Sequence, residues 1–210
     1  IDKLDNQPIS KEISDKIANY IKKEKTNAIV FSDFRHGIFN GVNIKKFCTA
    51  VKKNSFKAAD SQVASRWGNI SEFKKFDLIC PNEKEVRFSL ADQDSSISSL
   101  SRQLYKSNNY KNLILKLGEK GVFCVNKFQK SYDEAFSIDS FVSNLADPVG
   151  SGDALLAYAT VSMLKSNNLI ISSIIGSLAA ACSCEINGNV SIKTSFIMEK
   201  IKNLEKKISK

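Results

Sequence analysis

The sequence has no apolar run as long as the roughly 20 residues of a membrane-spanning helix, and its first residues do not resemble a secretory signal. It has one histidine, and its five cysteines are an odd number without metal-ligand spacing. Most of the cysteines lie in apolar stretches, which indicates reduced, buried thiols. These absences argue against a membrane-spanning or disulfide-rich chain, and we expect a cytoplasmic protein.

Three common catalytic or nucleotide-binding motifs are also missing. There is no Gly-x-x-x-x-Gly-Lys-Ser/Thr P-loop, and no third glycine completes a dinucleotide-binding fingerprint. The Gly-Ser-Gly sequence at 150–152 is not a nucleophile elbow, and the single histidine, His36, lies far from it along the chain. The sequence therefore does not indicate a P-loop nucleoside triphosphatase, a dinucleotide-dependent dehydrogenase or a serine hydrolase.

The formal charge of +9 is the strongest compositional bias. A basic surface attracts nucleic acid, membranes or phosphorylated metabolites. The lysines are spread through the predicted helices, and no basic stripe interleaved with aromatic residues is present. We therefore expect a small-molecule partner and neither nucleic acid nor a membrane, and a homodimer is a possible assembly.

Short apolar runs alternate with segments of helical period. Predicted strands cover residues 28–31, 56–59, 76–80, 113–117, 122–125 and 137–141, and the turn at 118–121 makes 122–125 the hairpin partner of 113–117. Predicted helices cover residues 9–24, 42–53, a segment that begins near 82, 95–106, a segment that ends near 165, 169–185 and 194–209. This alternation is typical of a mostly parallel sheet covered on both faces. With no internal repeat and no linker, residues 1–210 are predicted to form a single α/β domain.

Polar residues and glycine follow the predicted strands. These residues are Asp33, Asp60, Asn82, Gly118 and Asp147. Ligands of open α/β sheets bind outside the carboxyl ends of the strands. Placement alone therefore indicates an active site along that edge.

The most informative stretch is Asp147-Pro-Val-Gly-Ser-Gly-Asp153, directly before an apolar run with helical spacing. A glycine loop can aim the free N–H groups of a helix start at one point, where the helix dipole favours an anion such as phosphate. Gly150, Ser151 and Gly152 are therefore the predicted anion hole. Asp153 is either a base that takes a proton from a hydroxyl attacking the phosphate or an N-cap after an ordinary turn.

Residues 147–153 also resemble the C-terminal signature of the PfkB, or ribokinase-like, carbohydrate kinases, although Tyr158 departs from the small residue usual there. The resemblance implies a three-layer α/β/α fold with a mostly parallel central sheet, and ATP and Mg²⁺ as cofactors. It implies that Asp153 is the catalytic base and that Asp147 belongs to the ATP site. We therefore expect an ATP-dependent kinase that transfers the γ-phosphoryl group to a hydroxyl of a sugar or sugar phosphate. A non-catalytic nucleotide- or sugar-phosphate-binding remnant of such a kinase is the alternative.

Two further segments fit this resemblance. Asn82 and Glu85 match an Asn-x-x-Glu motif that helps to hold magnesium and phosphate in the family, usually through waters. As an alternative, Asn82 is an N-cap and Glu85 a first-turn acid. Residues 115–121 resemble the family's strand and turn before the nucleotide, which implies that Lys116 and Gly118 bind ATP. An exposed lysine at a strand end is the alternative for Lys116.

The loop Ser32-Asp-Phe-Arg-His-Gly37 resembles that of the heptose-7-phosphate kinase branch of the family, with Arg35 and His36 as departures. Arg35 keeps a cation that can contact a phosphate. The candidate substrate residues are Asp33, Arg35, Asp60 and Arg66.

The resemblance covers residues 10–205, but domains of the family are longer. The part without a counterpart is N-terminal: the first strands, the lid over the sugar and a Gly-Gly sugar-binding signature. We therefore expect the chain to be the C-terminal two-thirds of such a domain, and the first residue, Ile1 rather than Met, fits a piece of something longer. Without a lid, water is not excluded from the site, so this fragment alone is expected to have little activity.

Overall fold

The computed structural model describes residues 7–62, 70–126 and 134–208. The chain divides after Leu115 into two compact units, which are described separately. The interpretation of the whole chain as one domain stays a prediction. Arg66, one of the candidate substrate residues, lies outside the described residues.

The strands of the first unit are parallel. They are β1 (Ala28–Asp33), β2 (Phe56–Ser61), β3 (Leu78–Ile79) and β4 (Asn112–Lys116), and the last residue of β4 belongs to the second unit. Apolar residues from the strands and the loops between them fill the core: the ring of Phe76 lies 5.3 Å from that of Phe31 and 5.5 Å from that of Phe73. The unbroken apolar runs thus form buried parallel strands, as predicted.

The described residues of the first unit include four α-helices. They are α1 (Lys11–Lys23), α2 (Gly41–Ala50), α3 (Glu83–Leu90) and α4 (Ile97–Asn108). Each begins after a side chain that accepts a hydrogen bond from the first turn: Ser10, Asn40, Asn82 and Ser96. These caps satisfy N–H groups that have no acceptor inside the helix. The helix starts predicted from periodicity are therefore confirmed to within a few residues.

The described residues of the second unit include two paired strands and three α-helices. Strands β5 (Val122–Asn126) and β6 (Glu134–Ile138) are antiparallel, and the helices are α5 (Ser151–Ser166), α6 (Leu169–Cys184) and α7 (Thr194–Ile208). Gly176 of α6 packs against α5, where an added Cβ would lie 3.0 Å from the Ala159 side chain and the Leu155 carbonyl oxygen. A glycine at this point lets the two helices approach closely. No helix of the described residues is long and apolar enough to cross a membrane.

The strand predicted at 137–141 is wrong in position. β6 ends at Ile138, which pairs with the first residue of β5, Val122. The preceding Gly121 has φ 82°, and a Cβ there would clash with the carbonyl oxygen of Ile138, so only glycine allows this close approach at the end of the ladder. Asp147 is consequently separated from the end of β6 by an irregular segment and does not directly follow a strand.

Candidate active site

The glycine loop forms the start of α5. Gly150 is the N-cap residue, with φ 82° and ψ −9°, and as a glycine it provides no side chain to cap the helix. The Ser151 hydroxyl donates to the Pro148 carbonyl oxygen at 2.7 Å, which closes the turn. The Ser151 N–H donates to the same carbonyl oxygen at 3.3 Å. The other N–H groups of a first turn have no acceptor inside the helix, so a helix start without a capping side chain can bind an anion.

Gly150 is required at the N-cap for two reasons. Its positive φ is costly for a residue with a Cβ. A Cβ there would also lie 2.5 Å from the Asn189 Oδ1 atom. Gly152 has a different role, because it lies within α5 and lines a cavity.

Asp153 lies in the first turn of α5 and is half-buried. Because the N-cap is Gly150, the alternative in which Asp153 caps the helix is wrong. A carboxylate in the first turn is favoured by the helix dipole. The position therefore holds an anionic side chain directly beside the predicted anion hole.

The carboxylate of Asp147 is engaged by the backbone around the loop. Its Oδ1 accepts from the Val149 N–H at 3.0 Å, and its Oδ2 accepts from the Gly188 N–H at 3.3 Å. The N–H groups of Ala146 and Asp147 donate to the Cys184 carbonyl oxygen at 2.8 and 3.0 Å. Asp147 thus ties the glycine loop to the end of α6, and its predicted contact with ATP stays a prediction.

A cavity of about 540 Å³ opens beside the start of α5. Its wall includes four residues that the sequence assigned to the anion hole and the ATP site: Lys116, Gly118, Ser151 and Gly152. The remaining wall is largely apolar and includes Val122, Phe141, Leu155 and Ala181. Sites for small molecules usually have volumes of about 300–1,000 Å³ and mostly apolar walls. The cavity therefore suits a small ligand that combines charged and apolar groups.

Glu185 fixes the irregular segment that contributes to this wall. Its Oε1 accepts from the Ser143 N–H at 2.6 Å, and Lys200 of α7 donates to both carboxylate oxygens at 2.7 and 2.8 Å. Burial acts to raise the pKa of Glu185. The hydrogen bonds from Lys200, Ser143 and Asn144, together with the Lys200 charge, outweigh burial and hold that pKa below its ordinary value.

We expect Glu185 to make the stability of the protein depend on acidity. A carboxyl group with a lowered pKa in the folded state stabilises the fold above its unfolded pKa, near 4.5, and loses this contribution as the pH falls through the folded pKa. Glu185→Gln should therefore flatten the decline of unfolding free energy below pH 4.5. Urea titrations of both proteins between pH 3 and pH 7 measure this. Identical pH profiles would show that the Glu185 contacts add nothing to stability.

Asn82 and Glu85 form a capping box at the start of α3. The Glu85 carboxylate accepts from the Asn82 backbone N–H and from its side-chain amide, both at 2.6 Å, and Asn82 Oδ1 accepts from the Glu85 N–H at 2.9 Å. Glu85 is 3% exposed. Asn82 is therefore the N-cap of α3 and Glu85 a first-turn acid, as in the alternative interpretation. Their predicted contact with magnesium stays a prediction. The described residues contain no group of three His, Cys, Asp or Glu side chains able to hold a metal.

The candidate substrate residues at the ends of β1 and β2 lie together. Asp33 Oδ2 accepts from Arg35 Nη1 at 2.6 Å and from the Ser61 hydroxyl at 3.0 Å, and Asp60 Oδ1 accepts from the Ser61 N–H at 3.0 Å. Both aspartates are buried. Sequence reasoning missed Ser61, although its register opposite Asp33 in the two paired strands is the signal that would have found it.

A family model described as pfkB family carbohydrate kinase matches residues 20–194. The chain belongs to this family. The predicted family membership is confirmed, and the match includes the glycine loop at the start of α5.

Individual members of the pfkB family resemble the chain at low identity. It is 22% identical over 174 residues to bifunctional protein HldE of Helicobacter acinonychis (strain Sheeba), a match that covers 80% of this chain and 36% of that protein. Phosphofructokinase-2 from Escherichia coli superposes with a TM-score of 0.78 at 14% identity, over 94% of this chain and 64% of that one. Ribokinase from Thermotoga maritima superposes with a TM-score of 0.69 at 22% identity, over 94% of this chain and 63% of that one.

These solved structures confirm the predicted ribokinase-like α/β fold. This pfkB-family chain spans little more than a third of the curated relative and less than two thirds of the solved ones.

Proposed function

We propose that the chain is the nucleotide-binding and phosphoryl-transferring part of an ATP-dependent kinase that acts on a sugar or sugar phosphate. The observation that carries this proposal is the glycine start of α5, which has no N-cap side chain, borders the cavity and carries Asp153 in the first turn. An anion site and a carboxylate within one helical turn provide the two groups that phosphoryl transfer to a hydroxyl requires.

The residues around the cavity fit ATP. In the cavity wall, the Gly152 N–H group and the Lys116 side chain are suited to bind phosphates. Gly118, with φ 64°, has open space where a Cβ would stand, so its backbone can be approached closely. The apolar wall suits a heterocyclic base. Bound ATP supplies the γ-phosphoryl group, and Mg²⁺ neutralises charge on its phosphates.

Asp153 acts as the base in this proposal. Its carboxylate accepts the proton of the sugar hydroxyl as the oxygen of that hydroxyl bonds to the phosphorus atom. The first-turn N–H groups and the dipole of α5 stabilise the negative charge on the transferred group. The loop between Asp147 and Gly150 keeps these N–H groups in place before the ligand arrives, so little reorganisation is needed.

Asn82 and Glu85 are the residues we propose for magnesium, through water molecules. Both oxygens of Glu85 already accept from Asn82, so contact through waters fits this pair better than direct coordination. Magnesium retains several waters and commonly binds one or two carboxylates together with substrate phosphates.

We propose Asp33, Arg35, Asp60 and Arg66 for the acceptor. Buried carboxylates can accept hydrogen bonds from sugar hydroxyls, and an arginine can pair with a phosphate. The resemblance of residues 32–37 to heptose-7-phosphate kinases makes a heptose phosphate the first acceptor to assay.

Magnesium-ATP should bind the folded protein and stabilise it. At 100 times its dissociation constant, a ligand of the native state raises the unfolding free energy by about 2.7 kcal/mol. Calorimetric titration and urea unfolding with and without magnesium-ATP measure both quantities. A folded sample that shows no heat of binding at millimolar ATP would contradict the proposal. Binding without transfer to any acceptor, in the complete enzyme, would favour the non-catalytic remnant.

A further inference from the structure

The segment between β6 and the glycine loop forms a large part of the cavity wall. Residues 139–150 are all described, and they contain no helix or strand. We call residues 140–145 the wall segment, because five of them line the cavity: Ser140, Phe141, Val142, Ser143 and Leu145. Fixing the backbone of each residue costs conformational entropy. An irregular segment therefore keeps one conformation only where contacts hold it.

The Glu185 carboxylate holds the backbone of the wall segment. It accepts hydrogen bonds from the N–H groups of two consecutive residues, Ser143 at 2.6 Å and Asn144. Directly before Glu185, the Cys184 carbonyl oxygen accepts from two N–H groups at the beginning of the glycine loop. The end of α6 thus holds the wall segment by a side chain and the glycine loop by a backbone carbonyl group.

Lys200 of α7 holds the Glu185 carboxylate in turn. Its Nζ donates to both carboxylate oxygens at 2.7 and 2.8 Å, and its side chain is 12% exposed. Hydrogen bonds between charged groups are about twice as strong as those between neutral groups. Lys200 does not line the cavity, so the contact through which it reaches the wall segment is the one with Glu185.

We propose that Lys200 is a positioning residue of the ATP site, which acts through Glu185 to keep the wall segment in the arrangement that receives the nucleotide. This inference rests on the proposed function. A wall that is ordered before binding removes the cost of ordering it from the binding free energy. Lys200 therefore contributes to ATP affinity and not to the transfer step, because Cys184 and Asp147 hold the glycine loop independently.

Lys200→Met should weaken ATP binding about 3- to 10-fold, the size of the cost of ordering a side chain or a short loop on binding. Methionine keeps most of the apolar stem of lysine and removes the ammonium group. Calorimetric titration measures the affinity, and circular dichroism confirms that the variant is folded. In the complete enzyme, KM for ATP should rise while kcat stays near the wild-type value.

Glu185→Gln tests the same connection from the other partner. The glutamine side chain keeps an oxygen for an N–H group but loses the ion pair with Lys200, so ATP affinity should fall in the same range. The double variant should bind ATP no more weakly than the weaker of the two single variants, because both residues act through one set of contacts. If one single variant does not fold, the other decides the test.

Amide hydrogen exchange shows whether the wall segment itself is affected. Without ATP, the N–H groups of Ser143 and Asn144 should exchange faster in both single variants than in the wild type, because their acceptor is no longer held. A residue that only adds to global stability would change the exchange of the core helices as well, and not that of these two groups in particular.

Lys202→Met is the matched control for the loss of one positive charge. Lys202 is exposed on the same helix and does not line the cavity. This variant should keep the wild-type affinity for ATP and the wild-type exchange at Ser143.

Three results would overturn the inference while leaving the proposed function intact. They are unchanged ATP affinity in the folded single variants, an equal loss in Lys202→Met, and fully additive losses in the double variant. If the folded wild-type protein does not bind ATP, the proposed function fails and the inference fails with it.

Discussion

Replacing Asp153 by asparagine should lower the kcat of the complete enzyme by about 10²- to 10⁴-fold, the usual contribution of a general base. Asparagine keeps the size of the side chain but cannot take the proton of the attacking hydroxyl. ATP affinity should stay the same or improve, because a negative charge beside the phosphates is removed. Steady-state kinetics and calorimetric titration with ATP separate these two effects.

Asp94→Asn is the control for the loss of one carboxylate. Asp94 is exposed in the turn between α3 and α4, so its replacement should leave kcat within the error of the assay. If Asp153→Asn keeps more than about a tenth of the wild-type kcat, against the at least 100-fold loss expected of a base, Asp153 supports the helix start and is not the base.

Gly152→Val should weaken ATP binding by at least about tenfold, equivalent to 1.4 kcal/mol, while the protein stays folded. Gly152 lies inside α5 and lines the cavity, so the branched side chain occupies space that the phosphates need. The helical backbone itself accepts valine, which has a higher helix propensity than glycine. Calorimetry with ATP and circular dichroism together show whether binding is lost without unfolding.

Gly150→Ala is the matched comparison two residues earlier. It forces a Cβ into a left-handed conformation, at about 1–2 kcal/mol, and against Asn189. This variant should lose stability as well as ATP affinity. If Gly152→Val binds ATP as well as the wild type, the start of α5 is not the phosphate site.

Much of the fold could be predicted because its signals are local. Unbroken apolar runs predicted β1 to β4, and helical periodicity together with small polar caps predicted most of the helix boundaries. The end of β6 was misplaced because it depends on the pairing of Ile138 with Val122 and on the close approach of Ile138 to Gly121. A reading of residues 137–141 alone contains neither.

The candidate site could be predicted only in part. The glycine loop is a continuous stretch, so its place before a helix was visible in the sequence. The rest of the wall depends on contacts between distant residues, such as that of Ser143 with Glu185 and that of Ala146 with Cys184. Ser177 stands in a strongly apolar helix, and its place in a cavity wall follows only from how that helix packs. The capping box of Asn82 and Glu85 uses the same residues as the predicted magnesium contact, so the motif alone could not separate the two roles.

The central claim is that nucleotide phosphates bind at the start of α5, and the backbone amide signal of Gly152 tests it most directly. In ¹H–¹⁵N spectra of the labelled protein, saturating magnesium-ADP and tripolyphosphate should each shift the Gly152 signal strongly. The signal of Ser172, which does not line the cavity, should stay in place. A Gly152 signal that does not move, while nucleotide binding shifts signals around Arg35 and Asp60 instead, would contradict the account.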